Sequence, residues 1–216
     1  GHMGEEVLNK LSVTGFHHSR QSLRVVDFLE KAGRGLNLTA EVRDGIVNHS
    51  KGRKTINQWQ EKDETARPLT LEAEVVQYAD WIAYINHDVD DAIMMHQLNY
   101  NQVPVIVRKA LGNSHAKRID TMVRDVIYAS WNSNRIKMSP AILVATETLR
   151  RFLYEKVYNL PAIAKYNLRA ELIITRLFKY YNRNFQRVLS EMPWLKGVPR
   201  NQALIDVISS LTDSAS

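Results

Sequence analysis

Residues 71–95 read LEAEVVQYADWIAYINHDVDDAIMM, and their spacing decides the fold class. At 100° per residue, Val75, Ile82, Ile85, Val89 and Ile93 share one face, with Tyr78 and Ala79 at its edges. Asp80, Tyr84, His87, Asp88 and Asp91 share the opposite face. Glu72 and Glu74 fall in the first turn after Thr70, where the helix dipole favours carboxylates. The pattern predicts one helix over 71–95 whose apolar stripe needs a partner surface. Its acidic side admits two readings. It either meets water, or lines a cavity where carboxylates and an imidazole await a hard cation and a phenol awaits substrate.

Outward from this helix the apolar spacing stays helical, with no strand alternation and no internal repeat. Residues 19–32 carry Leu23, Val26, Phe28 and Leu29 and run into Gly33 and Gly35, both good helix terminators. Thr39 is placed to cap a helix reaching about His49. The polar stretch from Gly52 to Pro68 predicts a long loop, the mobile part of the chain. Pro104, Pro140 and Pro161 stand near the starts of later helices, where a missing N–H costs little. Those helices cover about 104–111, 115–131, 140–157 and 163–190, and a last amphipathic piece covers 200–210. The expected class is all-α, a helical bundle.

The chain has 216 residues, 44% of them hydrophobic and 24% charged, which is ordinary globular composition. It contains no cysteine. A disulfide scaffold, a zinc ribbon and a thiol nucleophile are therefore excluded. Its apolar runs fall well short of the roughly 20 residues that span a bilayer. The first residues lack a basic segment followed by an apolar core. A soluble cytoplasmic protein without membrane contact is expected. The 29 Lys and Arg residues against 23 Asp and Glu give a net charge of +6, which suits nucleic acid or a polyanionic small molecule. The densest basic stretches are Lys51 to Lys54, Arg150-Arg151 and Arg183 to Arg187, all readable as solvated faces.

Three blocks carry a family resemblance. Phe16-His17-His18-Ser19-Arg20-Gln21-Ser22-Leu23-Arg24 resembles the F-x-H-x-x-Q-S-L-R segment of HD-superfamily deoxynucleoside triphosphate triphosphohydrolases, the dGTPase-like proteins. The run Gly35-Leu36-Asn37-Leu38-Thr39, with Glu41-Val42-Arg43 and Gly45-Ile46, is similar to the stretch that follows it. Leu71 to Val76, Ala79-Asp80, Ile82-Ala83-Tyr84 and His87-Asp88 resemble the third block. Phe152-Leu153-Tyr154, Val157-Tyr158 and Thr212-Asp213 also have counterparts.

The resemblance implies an HD-domain-like helical bundle and metal-dependent hydrolysis of a deoxynucleoside triphosphate to deoxynucleoside and triphosphate. Residues 4–100 would be the C-terminal part of the HD-type catalytic domain, and 101–216 a helical extension packed on it. Such enzymes hold a divalent Mg or Mn ion with a His, a His-Asp doublet and a distant Asp, and are commonly homo-oligomers. Asp80 matches the distant Asp, and Tyr84 matches a substrate-contacting tyrosine. The literal His87-Asp88 pair falls after the fourth ligand and is a decoy. His18 matches a histidine beside the substrate phosphates, whereas His17 matches no family position and reads as an exposed loop residue. Gly1-His2-Met3-Gly4-Glu5 matches G-H-x-G-E, which makes Glu5 an acidic active-site residue and His2 a catalytic histidine by position. Gly1-His2-Met3 equally reads as the remnant of a cleaved tag. The family's first metal histidine and its doublet have no counterpart in these residues, so this chain is expected to be an incomplete or inactive form that binds no metal. The alternatives are a non-catalytic nucleotide- or nucleic-acid-binding module and a structural subunit of an oligomer.

Overall fold

A computed structural model describes residues 2–50, 67–158 and 161–211, with side chains for all of these but His2 and residues 161–164. Among the described residues every regular element is helical, and no strand is present. No helix among them is long and apolar enough to cross a membrane. The expected loop from Gly52 to Pro68 lies, for residues 51–66, outside the described residues, as do Thr212 and Asp213.

The chain divides into two compact units. The first joins Gly1–Arg43 to Ala164–Ser216, and the second is Asp44–Ile163. Both sides of the expected boundary at residue 100 lie in the second unit.

In the second unit the central helix, here α4, spans Leu71–Met94 as its periodicity predicts. Thr70 caps it, its side chain accepting from the Ala73 N–H at 3.2 Å. The helices α5 (Val105–Leu111), α6 (His115–Ser130) and α7 (Pro140–Leu153) surround it. Tyr78, Trp81, Ile82, Ile85 and Val89 of α4 form one core with Val107 and Leu111, Met122, and Leu143, Leu149 and Leu153. Each fully buried aliphatic side chain contributes about 1.5–3 kcal/mol relative to exposure.

The buried face is rotated from the expected one. Glu74, Gln77 and Asn86 are inside, while Val75, expected on the inner face, is 48% exposed. Hydrogen bonding explains the rotation, because each of these three side chains finds a partner, although Gln77 Oε1 has none among the described residues. Glu74 Oε2 accepts from the Ile136 N–H at 2.9 Å, so this carboxylate serves the α6–α7 connection as well as its own dipole. Gln77 Nε2 donates to the Asn48 carbonyl. Asn86 Oδ1 accepts from Arg118 Nε at 2.8 Å, and Arg118, 1% exposed, also donates from Nη2 to Asp90 at 2.7 Å.

The first unit begins with α1 (His2–Leu11). The helix α2 (His18–Arg24) follows and continues as a wider π-helical turn over Val25–Leu29. The segment Glu30–Gly33 then reverses the chain, with Lys31 and Ala32 at φ 51° and 54°. Gly35, at φ +66°, sits so close to the Asp27 carbonyl that any Cβ would collide with it. This is the physical content of the expected helix stop. Thr39 precedes α3 (Ala40–Asn48) and accepts from the Arg43 N–H through its carbonyl at 3.1 Å. The long α8 (Pro161–Arg183), α9 (Phe185–Glu191) and α10 (Arg200–Ser210) complete the described helices.

Within this unit a buried carboxylate ties α2 to α10. Asp206, 1% exposed, accepts from Arg24 Nε at 2.8 Å and from Arg24 Nη2 at 2.7 Å. Gln21 Nε2 adds a bond at 3.0 Å and Gln202 Nε2 another at 2.9 Å. Gln21 and Arg24 are three residues apart and so share a helix face. Residues of α10 also enter two apolar clusters, one with Leu8, Ile205 and Ile208, the other with Val188, Leu195, Ala203 and Val207.

Asp206→Ala should strand the Arg24 guanidinium. Breaking a buried pair costs about 3–5 kcal/mol, and partial solvent contact at Arg24 puts the expected loss at about 3 kcal/mol. Urea denaturation followed by circular dichroism measures it. A loss below about 1 kcal/mol would remove Asp206 from this role.

Candidate active site

Glu5 on α1 meets the start of α2 inside the first unit. Glu5 Oε1 accepts from the His18 N–H at 3.1 Å, and Glu5 Oε2 lies 3.0 Å from His18 Nδ1. The carboxylate therefore serves a helix N-terminus, where negative charge is favoured, and an imidazole at once. Partial burial pushes the Glu5 carboxyl up, but hydrogen bonds from the His18 ring and backbone, and the charges of His18 and His17, outweigh it. The net shift is downward, so Glu5 is ionised at neutral pH. An ionised carboxylate only accepts, so the hydrogen between the two belongs to His18 Nδ1. Proton exchange by this ring then falls to Nε2.

His17, expected as a plain loop histidine, is part of the same cluster. It caps α2, its Nδ1 accepting from the Ser19 N–H at 3.3 Å and lying 2.9 Å from Ser19 Oγ. Its Nδ1 is 3.8 Å from Glu5 Oε1, and its ring stacks on His18 with centroids 4.9 Å apart. The signal for this role was the capping position before Ser19, which family matching ignores. Among the described residues, Glu5, His17 and His18 form the one group of three or more acidic or imidazole side chains spaced to hold a metal ion.

Tyr84 belongs to a second constellation, in the second unit. Its hydroxyl is 2.6 Å from that of Tyr158, and Tyr158 donates to Asp88 Oδ2. Tyr158 has one hydroxyl hydrogen and gives it to the carboxylate, so Tyr84 must be the donor to Tyr158. Toward anything else Tyr84 can only accept. Burial, aided by the hydrogen bond to Asp88, pushes the Tyr158 phenol far above its ordinary value. Burial likewise raises Tyr84, with the Asp88 charge adding to it and the Arg150 charge opposing.

The other candidate residues are placed differently. Asp80 lies on the exposed face of α4, with His87 and Asp91, rather than facing inward. It belongs to no ligand-spaced group among the described residues. His87 packs its ring 4.9 Å from His115. His2 opens α1, and its side chain lies outside the described residues. Glu5 and His18 are thus brought together, and Tyr84 gains Tyr158, a partner that spacing along one helix did not reveal, which links it to Asp88 on the same face of α4. Tyr158 comes from 74 residues away, and its pairing with Tyr84 is a tertiary contact.

Comparison with known proteins sets these clusters in context. Residues 136–216 match the family model of a phosphohydrolase-associated domain. A deoxyguanosinetriphosphate triphosphohydrolase-like protein of Caldanaerobacter subterraneus is 47% identical over 99% of this chain and 59% of its own length. One from Desulfatibacillum aliphaticivorans is 43% identical over 99% of the chain and 63% of its own length. A relative of the same name from Thiobacillus denitrificans is 30% identical, with 99% of this chain and 68% of the relative aligned. The chain thus spans about three-fifths of the length of the first two.

The tyrosine pair supplies a titration test. A solvated tyrosine ionises near pH 10. Because both phenols are shifted upward, Tyr84→Phe and Tyr158→Phe should leave the ultraviolet phenolate titration of the chain unchanged up to about pH 11. Loss of a one-tyrosine step near pH 10 in either variant would contradict the buried hydrogen-bonded chain.

Proposed function

We propose that this chain, which belongs to the deoxyguanosinetriphosphate triphosphohydrolase-like family, carries the proton-handling and substrate-positioning residues of a deoxynucleoside triphosphate phosphohydrolase. The observation that carries the proposal is the Glu5–His18 pair, formed from two blocks that match the family in order. The reaction joins water to the α-phosphorus and breaks its bond to the 5′ oxygen, giving deoxynucleoside and triphosphate. One group must take a proton from water and one must give a proton to the departing oxygen. An imidazole with its Nδ1–H held by a carboxylate suits both tasks through Nε2, and ionised Glu5 stabilises the imidazolium formed between them. The position-matched His2 would share this work.

Tyr84, with its hydrogen committed to Tyr158, would accept from a donor on the substrate, such as a hydroxyl or an amine, rather than bind a phosphate oxygen. Tyr158 and Asp88 act as positioning residues, because they fix which way that hydrogen bond runs.

A divalent metal in the family supplies a polarised phosphoryl oxygen and a more acidic water. Asp80 is the one matched ligand here, it faces solvent, and no ligand-spaced neighbours accompany it among the described residues. One carboxylate is a poor site for Mg²⁺ or Mn²⁺. Asp80 and its described neighbours do not fit the metal, whereas Glu5, His17 and His18 are spaced to hold an ion but match none of the family's metal ligands. The 216 residues read best as the share of the enzyme that needs further family length to turn over. The exposure of Val76 on the Asp80 side of α4 supports that reading.

The test compares the 216-residue chain with a family-length protein carrying the same residues, using dGTP, Mn²⁺ and a triphosphate-release assay. The short chain should show no release above the enzyme-free control. In the longer protein, Glu5→Gln and His18→Ala should each lower kcat by at least about 10²-fold. Robust turnover by the short chain would contradict the incomplete-form reading. Unchanged turnover in the variants would remove the Glu5–His18 pair from the chemistry.

A further inference from the structure

Glu5, His17 and His18 each bring one donor atom to a single spot, all of them within 4.8 Å of one another. Glu5 Oε2 is 3.0 Å from His18 Nδ1, and Glu5 Oε1 is 3.8 Å from His17 Nδ1. The two rings stack at an interplanar angle of 22°. Neighbouring residues therefore present the same imidazole nitrogen toward one carboxylate. Donors held by Zn²⁺ at about 2.0–2.2 Å stand about 3.4 Å apart in a tetrahedron. The observed separations bracket that spacing, so closing on an ion asks for side-chain shifts of about 1 Å or less.

The start of α2 prepares these donors. His17 Nδ1 accepts from the Ser19 N–H at 3.3 Å, so that nitrogen is unprotonated, as a metal ligand must be. Glu5 Oε1 accepts from the His18 N–H at 3.1 Å, an outer hydrogen bond that orients the carboxylate and leaves Oε2 toward the rings. The His17 and His18 side chains are 50% and 41% exposed, so water can fill the remaining coordination positions. Two imidazole nitrogens and one carboxylate oxygen suit Zn²⁺ and its transition-metal neighbours. Mg²⁺ and Ca²⁺ prefer oxygen throughout. Without an ion, His18 Nδ1 holds its hydrogen against Glu5. An ion bound there displaces that hydrogen to Nε2, and the imidazole stays neutral.

We propose that Glu5, His17 and His18 form a binding site for a transition-metal dication of the Zn²⁺ type, with Glu5 Oε2 and the two Nδ1 atoms as its ligands. The expectation that this chain binds no metal concerned the family's ligands, and His17 matches no family position. Binding at this site needs nothing from the hydrolytic reading. Its consequence for catalysis does rest on that reading, because an ion on Nδ1 leaves Nε2 of His18 protonated and so removes the base. Occupancy would then switch the Glu5–His18 pair off.

The test is calorimetric titration of the chelator-treated 216-residue chain with ZnCl₂, paired with ¹⁵N–¹H spectra of its histidine rings above neutral pH. One Zn²⁺ per chain is expected, bound in the micromolar range or tighter and undisturbed by a large excess of Mg²⁺. As the ion is added, the His18 hydrogen should pass from Nδ1 to Nε2. Losing a ligand costs more than losing the group that orients one, itself worth roughly 10–100-fold. Glu5→Gln and His17→Asn should therefore each weaken Zn²⁺ binding by at least about 100-fold. The asparagine side chain preserves a cap acceptor for α2, so His17→Asn should keep the parent circular dichroism and carries the test if Glu5→Gln unfolds. His87→Ala breaks the other close imidazole pair, that of His87 with His115, and should leave binding unchanged. Four results would each overturn the proposal: affinity no tighter than millimolar, displacement by Mg²⁺, full binding by His17→Asn, or Zn²⁺ binding with the His18 hydrogen still on Nδ1. These readouts involve no turnover, so their failure is separable from failure of the hydrolytic reading.

Discussion

Asp206 takes hydrogen bonds from Arg24, Gln21 and Gln202 while almost fully removed from water. A carboxylate so placed is tolerable only when its lone pairs are filled, and two of the side chains that fill them lie on α2. The bond therefore sets the rotation of α2 against α10. That rotation decides where His18, at the other end of the same short helix, presents its ring. Glu5 then completes the arrangement from α1, and Leu8 on the same helix is anchored against Ile205 and Ile208. The Gln-Ser-Leu-Arg part of the motif is thus the fastening of the element whose histidine does the chemistry.

The second unit solves the same problem with different groups. Arg118 is buried at the centre and is balanced by Asn86 and Asp90 on α4. Further along α4, Asp88 and Tyr84 engage Tyr158. The central helix therefore holds polar groups on the flank of its apolar stripe, and each is oriented by a partner from another helix. Preorganisation of this sort lets a hydroxyl meet a ligand in a fixed sense, as donor or as acceptor but not both.

The fold was largely legible in the sequence because helix periodicity and caps are local signals. Thr70, Gly35 and the prolines before α5, α7 and α8 sit where their backbone chemistry demands. The packing of α4 was less so. Val75 was expected inside and is exposed, since counting apolar residues cannot foresee that Glu74, Gln77 and Asn86 will find buried partners. Compactness was not legible at all, because Gly1–Arg43 joins Ala164–Ser216 across 120 intervening residues. At the site, family matching singled out Glu5, His18, His2, Asp80 and Tyr84. It gave no site role to His17, Asp88, Tyr158 and Asp206, which hold other side chains, and such roles arise from tertiary contacts.

The proposed chemistry depends on Glu5 fixing the proton of His18 on Nδ1. Two-dimensional ¹⁵N–¹H spectroscopy of the histidine rings, recorded above neutral pH on the chain and on Glu5→Gln, reads that proton directly. The account predicts a protonated Nδ1 and an unprotonated Nε2 for His18 in the parent chain, with the preference lost in the variant. A neutral His18 carrying its hydrogen on Nε2, unchanged by the substitution, would contradict it.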